Sequence, residues 1–426
     1  MIGDRRDWLK GIGLTALGAW PSWSLARPAP LTITGMKVTP IALPDPPLLN
    51  ATGCHGPYFL RNVVELKTDA GTIGIGETTG GESVTIALER ARERVVGRDA
   101  FAYRGLADLN PAAYAGLEVA CLDACGKATG NRICDLLGGP VRDSVEFAAY
   151  LFYRYAADHP VVLADRRLKD ARGRGEKALD RWGEVRTPEA MARMANEFQK
   201  RWGFRVFKLK AGVLTPDAEL ETLRLMSDKG QLRIDPNASW DLATSVRIGL
   251  AMKGLPIEYY EDPVSGQKGM AEVRKATGLK MSTNMCVTKY AHLSEAFQVR
   301  PIDVLLTDLH YFGGYAGNLA LGPVADAAGW KLSQHSNNHA GLTMAAMVHL
   351  GASLPQLTSA SDTHYPWLPD GTDIIEGPML TIESGKMKVP SQPGLGVSLD
   401  QDKLAKAREV YEKSGMRRRD DSILKF

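Results

Sequence analysis

From residue 204 onward, polar residues recur at the C-terminal ends of successive short apolar runs: Lys208 and Lys210, then Asp235, Glu261, Asn284, Asp308 and His335. Counted from Lys210, the gaps are 25, 26, 23, 24 and 27 residues, close to the length of one strand, one helix and two short loops. That rhythm predicts a (β/α) barrel, with strand candidates at 206–207, 232–234, 257–260, 304–306 and 331–333. In such barrels the C-terminal strand ends and the loops after them share one rim. Side chains far apart in sequence are therefore expected to face a common point, which predicts an enzyme.

Composition agrees with that architecture. The chain has 426 residues, 44% hydrophobic and 24% charged, enough for a barrel of about 250 residues with a second domain attached. A formal charge of +3 without a sustained basic stripe argues against a nucleic-acid partner. The dense basic run Arg417-Arg418-Arg419 is followed at once by Asp420-Asp421 and reads first as a charge-paired tail. Cys54, Cys121, Cys125, Cys134 and Cys286 have neither metal-ligand spacing nor the even count of a disulfide framework.

A leader precedes the folded part. Arg5-Arg6 stand before an apolar stretch at 11–20 that is too short to span a bilayer, and Ser24-Leu25-Ala26 offers a small-x-small cleavage site. With Trp8 and Leu9 behind the arginines, residues 1–26 look like a twin-arginine signal peptide. That resemblance implies passage of the folded protein through the twin-arginine (Tat) export machinery to the periplasm, with no stable membrane anchor. Residues 27–144 read as an α+β capping domain. They are β-rich at 31–42, have strands at 62–67 and 72–76 around a hairpin turn at Asp69-Ala70-Gly71, and then a helix over 112–129. On that helix Leu117, Ala120, Cys121, Ala124 and Cys125 share one face. The barrel is assigned to 145–385, and 386–426 to a C-terminal segment that packs back on the cap and completes it. A polar stretch at 166–184 reads as an insertion near the barrel mouth, and the glycine-rich run at 313–317 as a flexible βα loop.

Asp235, Glu261 and Asn284 come from three consecutive strand ends and offer three oxygen ligands without Cys or His. A hard divalent cation suits them, Mg²⁺ before Ca²⁺ or Mn²⁺, with positions left open for a substrate carboxylate. A single carboxylate of this kind is usually a surface charge or a helix cap; three at barrel spacing point to a metal. Lys208 and Lys210, two apart on a strand, share a face. Two ammonium groups side by side near a dication suppress each other's protonation, which predicts a lowered lysine pKa and a general base. A base beside a metal-bound carboxylate removes a proton α to it, with the ene-diolate charge offset electrostatically. Asp308 and His335 follow on neighbouring units, and a carboxylate on one ring nitrogen fixes the tautomer of an imidazole. With Lys210 on one face of the substrate and His335 on the other, either takes the α-proton according to stereochemistry. The imidazolium then donates to a leaving β-hydroxyl, so the predicted reaction is dehydration of a hydroxylated carboxylic acid.

Lys208-Leu209-Lys210, Asp235-Pro236-Asn237, Glu261-Asp262-Pro263, Thr283-Asn284-Met285 and His335-Ser336-Asn337-Asn338-His339 resemble the signature of the enolase superfamily, and within it the glucarate dehydratase branch. Sites of that superfamily are a standing example of a Lys or His base working with Mg²⁺. Residues 48–50 and 53–57 resemble the branch's substrate-covering loop, and 150–153, 362–364 and 419–421 match as well. The resemblance implies a modified (β/α)7β TIM-like barrel holding Mg²⁺ on Asp235, Glu261 and Asn284. It implies Lys210 and His335 as the two bases, His335 also as the acid that expels hydroxide, Lys208 and Asn237 at the enolate oxygen, and Asp308 orienting His335. His55, Tyr150, Lys208, Ser336, Asn337, His364 and Arg419 would contact a substrate with a carboxylate at each end. The implied substrate is a glucarate- or idarate-like hexarate and the implied product a 5-dehydro-4-deoxy-sugar diacid, made by a homo-oligomer. Two segments depart from the family by being short, the one after Glu261-Asp262-Pro263 and the one between Arg98 and Ala112. Arg154, just past the tyrosine motif, is a further candidate positive charge near the pocket.

Two other readings use the same residues. An acid-sugar epimerase or racemase would employ the opposed bases without expelling hydroxide. A catalytically silent exported sugar-acid binding protein would keep the pocket, although binding alone requires neither the lysine pair nor the Asp308–His335 dyad.

Overall fold

In a computed structural model that describes residues 30–164 and 182–419, the chain opens on an antiparallel sheet ordered β1 (Ile33–Pro44), β2 (Tyr58–Thr68), β3 (Ile73–Thr79). The β2–β3 hairpin turns at Asp69-Ala70-Gly71, closed by Thr68 N–H donating to the Thr72 carbonyl at 3.0 Å. Helices α1 (Glu82–Val95) and α2 (Pro111–Thr129) follow. The start and stop of α2 are local: Asn110 accepts from Ala112 N and Ala113 N, Pro111 occupies the first turn, and Gly130 ends the helix in the left-handed conformation. Periodicity predicts one buried face for α2, yet every residue from Ala113 to Gly126 is buried. The helix lies between the sheet on one side and a barrel helix on the other. It seats closely because Gly74 and Gly76 carry no side chain; a Cβ at either would strike the carbonyl oxygen of Ala120 or Gly116.

Among the described residues, seven parallel strands then lie side by side in chain order: β4 (Ala149–Phe152), β5 (Val206–Lys210), β6 (Gln231–Asp235), β7 (Ile257–Glu261), β8 (Met281–Thr283), β9 (Val304–Thr307) and β10 (Lys331–Gln334). Between them run α3 (Pro188–Trp202), α4 (Pro216–Leu225), α5 (Leu242–Ala251), α6 (Gln267–Thr277), α7 (Leu293–Val299) and α8 (Gly314–Ala328), and α9 (Gly341–Ser353) follows β10. Thr187, Thr215 and Asp241 cap α3, α4 and α5 with their side-chain oxygens, and left-handed Gly203, Gly278 and Gly329 end α3, α6 and α8. Residues 357–362 fill the eighth position. On one side Ser359 N donates to the Leu332 carbonyl and Asp362 N to that of Gln334; on the other, Ser361 N donates to the Glu146 carbonyl and Ala148 N to that of Ser361. The ring is closed by an extended segment, and the fold is the α/β barrel with an N-terminal antiparallel layer that the spacing predicts.

The last helix, α10 (Gln401–Ser414), returns to the first layer, where Tyr411 and Met416 cluster with Ala42, Tyr58 and Leu60. No helix among the described residues is long and apolar enough to cross a membrane. The leader, residues 165–181 of the insertion and Asp420-Asp421 lie outside the described residues.

One expectation is corrected. The run at 313–317 is not a loop: it starts α8. Gly313 and Gly314 take φ of 81° and 65°, and a side chain at 314 would collide with the Glu118 carboxylate. Glu118, reaching from α2, accepts from Tyr315 N and from Ala316 N, the latter at 3.1 Å, and so caps the helix. The glycines make room for a cap-domain carboxylate. Burial, opposed only in part by those N–H groups, pushes the Glu118 carboxyl up from 4.5 to about 7. A carboxyl raised on folding contributes stability that is fully present below about pH 4.5 and lost as pH rises through about 7. Relative to Glu118→Gln, the wild-type protein is therefore expected to lose roughly 2–3 kcal/mol of unfolding free energy between pH 5 and 8. Parallel pH dependences in denaturant titrations would refute the assignment.

Candidate active site

Parallel register brings the strand ends level. Tyr150 pairs with Lys208, Lys210 with Asp235, and Glu261 with Ser282, two residues before Asn284. A cavity of about 340 Å³ opens above them, lined by Lys210, Asn237, Asn284, His335, Ser336 and Asn337, together with Tyr150, His55, His364 and Arg419. Lys208, Asp235, Glu261 and Asp308 are buried behind this lining. All the expected site residues thus converge on one place.

At the centre, Lys208 Nζ lies 2.7 Å from Glu261 Oε1, 2.6 Å from Asp362 Oδ2 and 3.3 Å from Asp235 Oδ2, over the Tyr150 ring at 4.4 Å. Burial alone would push the Lys208 amine down, but the charges of Asp362, Glu261 and Asp235 hold its ammonium well above the ordinary range. Lys210 Nζ reaches the cavity wall with Asp235 Oδ2 and Asn237 Oδ1 as partners, each at 2.6 Å. Asn237 can serve there because it adopts φ of 57°, turning back over the strand end with its N–H on Asp235 Oδ1 at 3.0 Å. Despite burial, Lys210 and Lys208 hold the Asp235 carboxyl well below its usual range.

The remaining oxygens form a cradle short of positive charge. Glu261 Oε2 is buried with no hydrogen-bond partner among the described residues. Burial and the Asp235 charge push Glu261 well above the carboxylate range and push Asp262 up to about 7. The Asn284 side-chain oxygen faces Glu261 Oε1 and Asp262 Oδ2, both at 3.1 Å, and its NH₂ faces His335 Nε2 at 2.9 Å. Turned over, the amide would donate to both carboxylates and accept from a protonated Nε2. With the oxygen inward, the arrangement requires a cation between acceptors and a lone pair on Nε2. Oxygen ligands about 2.1 Å from an octahedral Mg²⁺ lie about 3 Å from each other, close to the 3.1 Å separation of Asn284 and Glu261. The donor set fits a hard divalent cation.

His335 Nδ1 lies 2.7 Å from Asp308 Oδ2. Opposing the effect of burial, His310 and His335 hold Asp308 well below the usual carboxylate range, and an ionised carboxylate only accepts. The Nδ1 nitrogen therefore carries a proton, and Nε2 is the ring nitrogen left for the cavity. Tyr311 stacks on this ring with centroids 5.4 Å apart, and Asn337 Nδ2 donates to the Tyr311 hydroxyl at 3.4 Å. A second polar group lines the cavity. Arg419 Nη2 lies 2.8 Å from His55 Nε2 and Arg419 Nη1 3.0 Å from Asn338 Oδ1. Ser336 Oγ lies 3.2 Å from His364 Nδ1. Burial, with His55 and Arg419 nearby, keeps His364 neutral. Arg419 is thus part of the cavity wall, beyond the charge-paired tail that its neighbours first suggest.

Arg154 is buried and is not among the residues that line the cavity; its Nε donates to the Tyr155 carbonyl at 3.2 Å. The sequence reading also missed several residues. Asp262 receives Thr283 Oγ1 at 2.5 Å and Asn284 N at 2.8 Å, setting the turn that carries Asn284. Asp362 joins Lys208 to Arg233, whose Nη1 lies 3.1 Å away. Arg233 sits mid-strand, two residues before Asp235, where β5 and β6 in register point it at the same interior as Lys208. That pairing was the available signal. Tyr311 and His310 have no periodic signal at all.

Comparison with known proteins agrees with this geometry. Residues 190–403 match the family model described as enolase C-terminal domain-like. A probable glucarate dehydratase of Streptomyces coelicolor is 38% identical, the alignment covering 92% of this chain and 95% of that one. The crystal structure of an enolase from Thermobispora bispora complexed with magnesium and formate is 41% identical, with a TM-score of 0.84 over 92% of this chain and 96% of that one. Another, from Pseudomonas fluorescens with bound magnesium, potassium and tartrate, is 35% identical, with a TM-score of 0.85 over 92% and 96%.

The Lys208–Asp362–Arg233 cluster yields a stability prediction. Asp362→Asn leaves two buried cations short of one carboxylate, and denaturant unfolding is expected to show a loss of about 3–5 kcal/mol. A change below about 1 kcal/mol would mean that Glu261 beside Lys208, and Glu258, 2.7 Å from Arg233 Nε, alone satisfy them.

Proposed function

The chain belongs to the enolase superfamily, and from that premise we propose that it dehydrates an acid sugar of the glucarate type, working with Mg²⁺ held by Asp235, Glu261 and Asn284. One observation carries the reading: two groups of different chemistry, Lys210 and the Asp308-backed His335, border one cavity next to an oxygen cradle in which one buried Glu261 oxygen has no hydrogen-bond partner among the described residues. The similarity to a probable glucarate dehydratase supports the substrate class. So does tartrate, a hydroxylated diacid, in the Pseudomonas fluorescens relative.

When bound, Mg²⁺ supplies positive charge to the substrate carboxylate and raises the acidity of its α-proton. Lys210 or His335 removes that proton, according to the configuration of the α-carbon. Lys208, a permanent ammonium, stabilises the charge developing on the carboxylate oxygen, and Asn237 keeps Lys210 aimed. Where His335 took the α-proton, the imidazolium so formed passes that proton to the β-hydroxyl; where Lys210 took it, His335 must enter the step as the imidazolium to do the same. The C–O bond breaks, water leaves, and the resulting enol tautomerises to an α-keto acid. Arg419, His55, His364, Ser336 and Asn337 bind the distal hydroxyls and carboxylate. Tyr150, carrying both lysines over its ring, packs the proximal end.

Incubation with Mg²⁺ and a panel of hexarates tests the reaction. Keto-acid formation is expected; α-deuterium exchange with diastereomer formation and no keto acid would instead identify an epimerase. Tight diacid binding without exchange would identify a binding protein. In D₂O, Lys210→Ala and His335→Asn are each expected to slow exchange at one stereochemical face by about 100-fold or more while sparing the other. Equal loss at both faces would contradict the two-base assignment. Calorimetric titration with Mg²⁺ alone reports on the cradle: Glu261→Gln and Asn284→Leu should each weaken binding about tenfold or more, and unchanged affinity would put the cation elsewhere.

A further inference from the structure

The first layer sends a buried ion pair into the barrel rim. Arg61 on β2 donates from Nε to Glu77 Oε1 on β3 at 2.6 Å, with both side chains at most 2% exposed. Glu77 also accepts from Ala340 N and Thr343 N, at 2.9 and 2.8 Å, where α9 begins. Against burial, the Arg61 charge and these N–H groups hold the Glu77 carboxyl below its usual range. From this anchor Arg61 Nη2 extends to Thr343 Oγ1 at 3.0 Å and faces His310 Nε2 at 3.4 Å. The opposite ring nitrogen, His310 Nδ1, lies 2.9 Å from Asp308 Oδ1, and the His310 backbone N–H reaches the same oxygen at 2.7 Å. The second oxygen of Asp308 is the one that meets His335 Nδ1. Five side chains therefore connect the cap sheet to His335.

The chemistry of these groups permits one arrangement of protons. A guanidinium is always charged and only donates, so the nitrogen of His310 that faces it must be bare. A carboxylate only accepts, so the nitrogen of His310 that faces Asp308 must carry the hydrogen. His310 then donates through Nδ1–H to Asp308 Oδ1 and turns Nε2 to the guanidinium. With Oδ1 held by two N–H donors from one residue, the carboxylate plane is set and Oδ2 is left for His335.

We propose that His310 is a positioning residue for His335, oriented by Arg61 so that its Nδ1–H and backbone N–H hold one oxygen of Asp308 and leave the other committed to His335. This rests on the reading of His335 as one of two bases. Lys210 stands outside the relay, since its partners are Asp235 and Asn237. The proposed effect is therefore confined to one stereochemical face.

The test uses the Mg²⁺-loaded enzyme and α-deuterium exchange in hexarates of opposite α-configuration. His310→Leu is expected to slow exchange at the His335 face about tenfold or more and to leave the Lys210 face within about twofold. His310→Asn, whose amide N–H can take the place of Nδ1–H, should recover most of the loss. Equal slowing at both faces would mean a merely structural role, and no slowing at either would mean that Asp308 needs no support; either overturns the proposal. Imidazole NMR of the same proteins gives a readout independent of turnover. The nitrogen shifts should show His310 as the Nδ1–H tautomer, and the hydrogen-bonded Nδ1 proton of His335 should resonate far downfield in wild type and His310→Asn and move upfield in His310→Leu. If wild type exchanges no α-proton, the dehydratase reading fails, while this resonance still decides the relay: unmoved in His310→Leu, it overturns it.

Discussion

Everything in the barrel interior is arranged around an ammonium that cannot leave. Lys208 is fully buried and touches Glu261 and Asp362, with Asp235 a little farther away. A charge in that position is tolerated only because opposite charges surround it, and they in turn are tolerated only because of Lys208, Lys210 and Arg233. The balance is incomplete. Asp235 is satisfied, whereas Glu261 and Asp262 are pushed toward protonation and one Glu261 oxygen has no partner among the described residues. The interior therefore holds a cluster of carboxylates that a divalent cation would complete. Stability and chemistry draw on the same groups, so the site is built into the core and is not laid over it.

The first layer is part of this construction. Glu118 caps α8 from α2, and Arg61 and Glu77 come from adjacent strands of the antiparallel sheet to meet the start of α9. His55, on the segment between β1 and β2, meets Arg419 from beyond α10 at the cavity wall. Each contact is a charged or polar group carried to a helix terminus or to the rim, where backbone N–H groups or an imidazole await it. A cap joined in this way sets the geometry of the catalytic rim as well as covering it.

The site's inner residues could be read in advance because a parallel barrel translates sequence period into position. Asp235, Glu261 and Asn284 stand at strand ends one βα unit apart, and in-register strands bring such ends together. Alternation along β5 likewise puts Lys208 and Lys210 on one face. Other features had no such translation. The glycines at 313 and 314 looked like loop residues, since their partner, Glu118, lies almost two hundred positions earlier. Lys208 also meets a carboxylate, Asp362, that arrives from the segment closing the ring.

By itself, the order of residues determined the barrel, its rim and the identities of the groups that meet there, because hydrophobic spacing and strand alternation are properties of short stretches of chain. Only the tertiary structure decided that Lys208 is enclosed by carboxylates while Lys210 reaches the cavity wall, that Asn284 lies against His335, and that Asp308 is held by His310 from behind. Those outcomes depend on electrostatic fields and donor–acceptor matches among side chains brought within about 3 Å by the closing of the ring and the docking of the first layer. At that range a partner's charge and direction count for more than any residue's intrinsic tendency, and neither is encoded in its local neighbourhood.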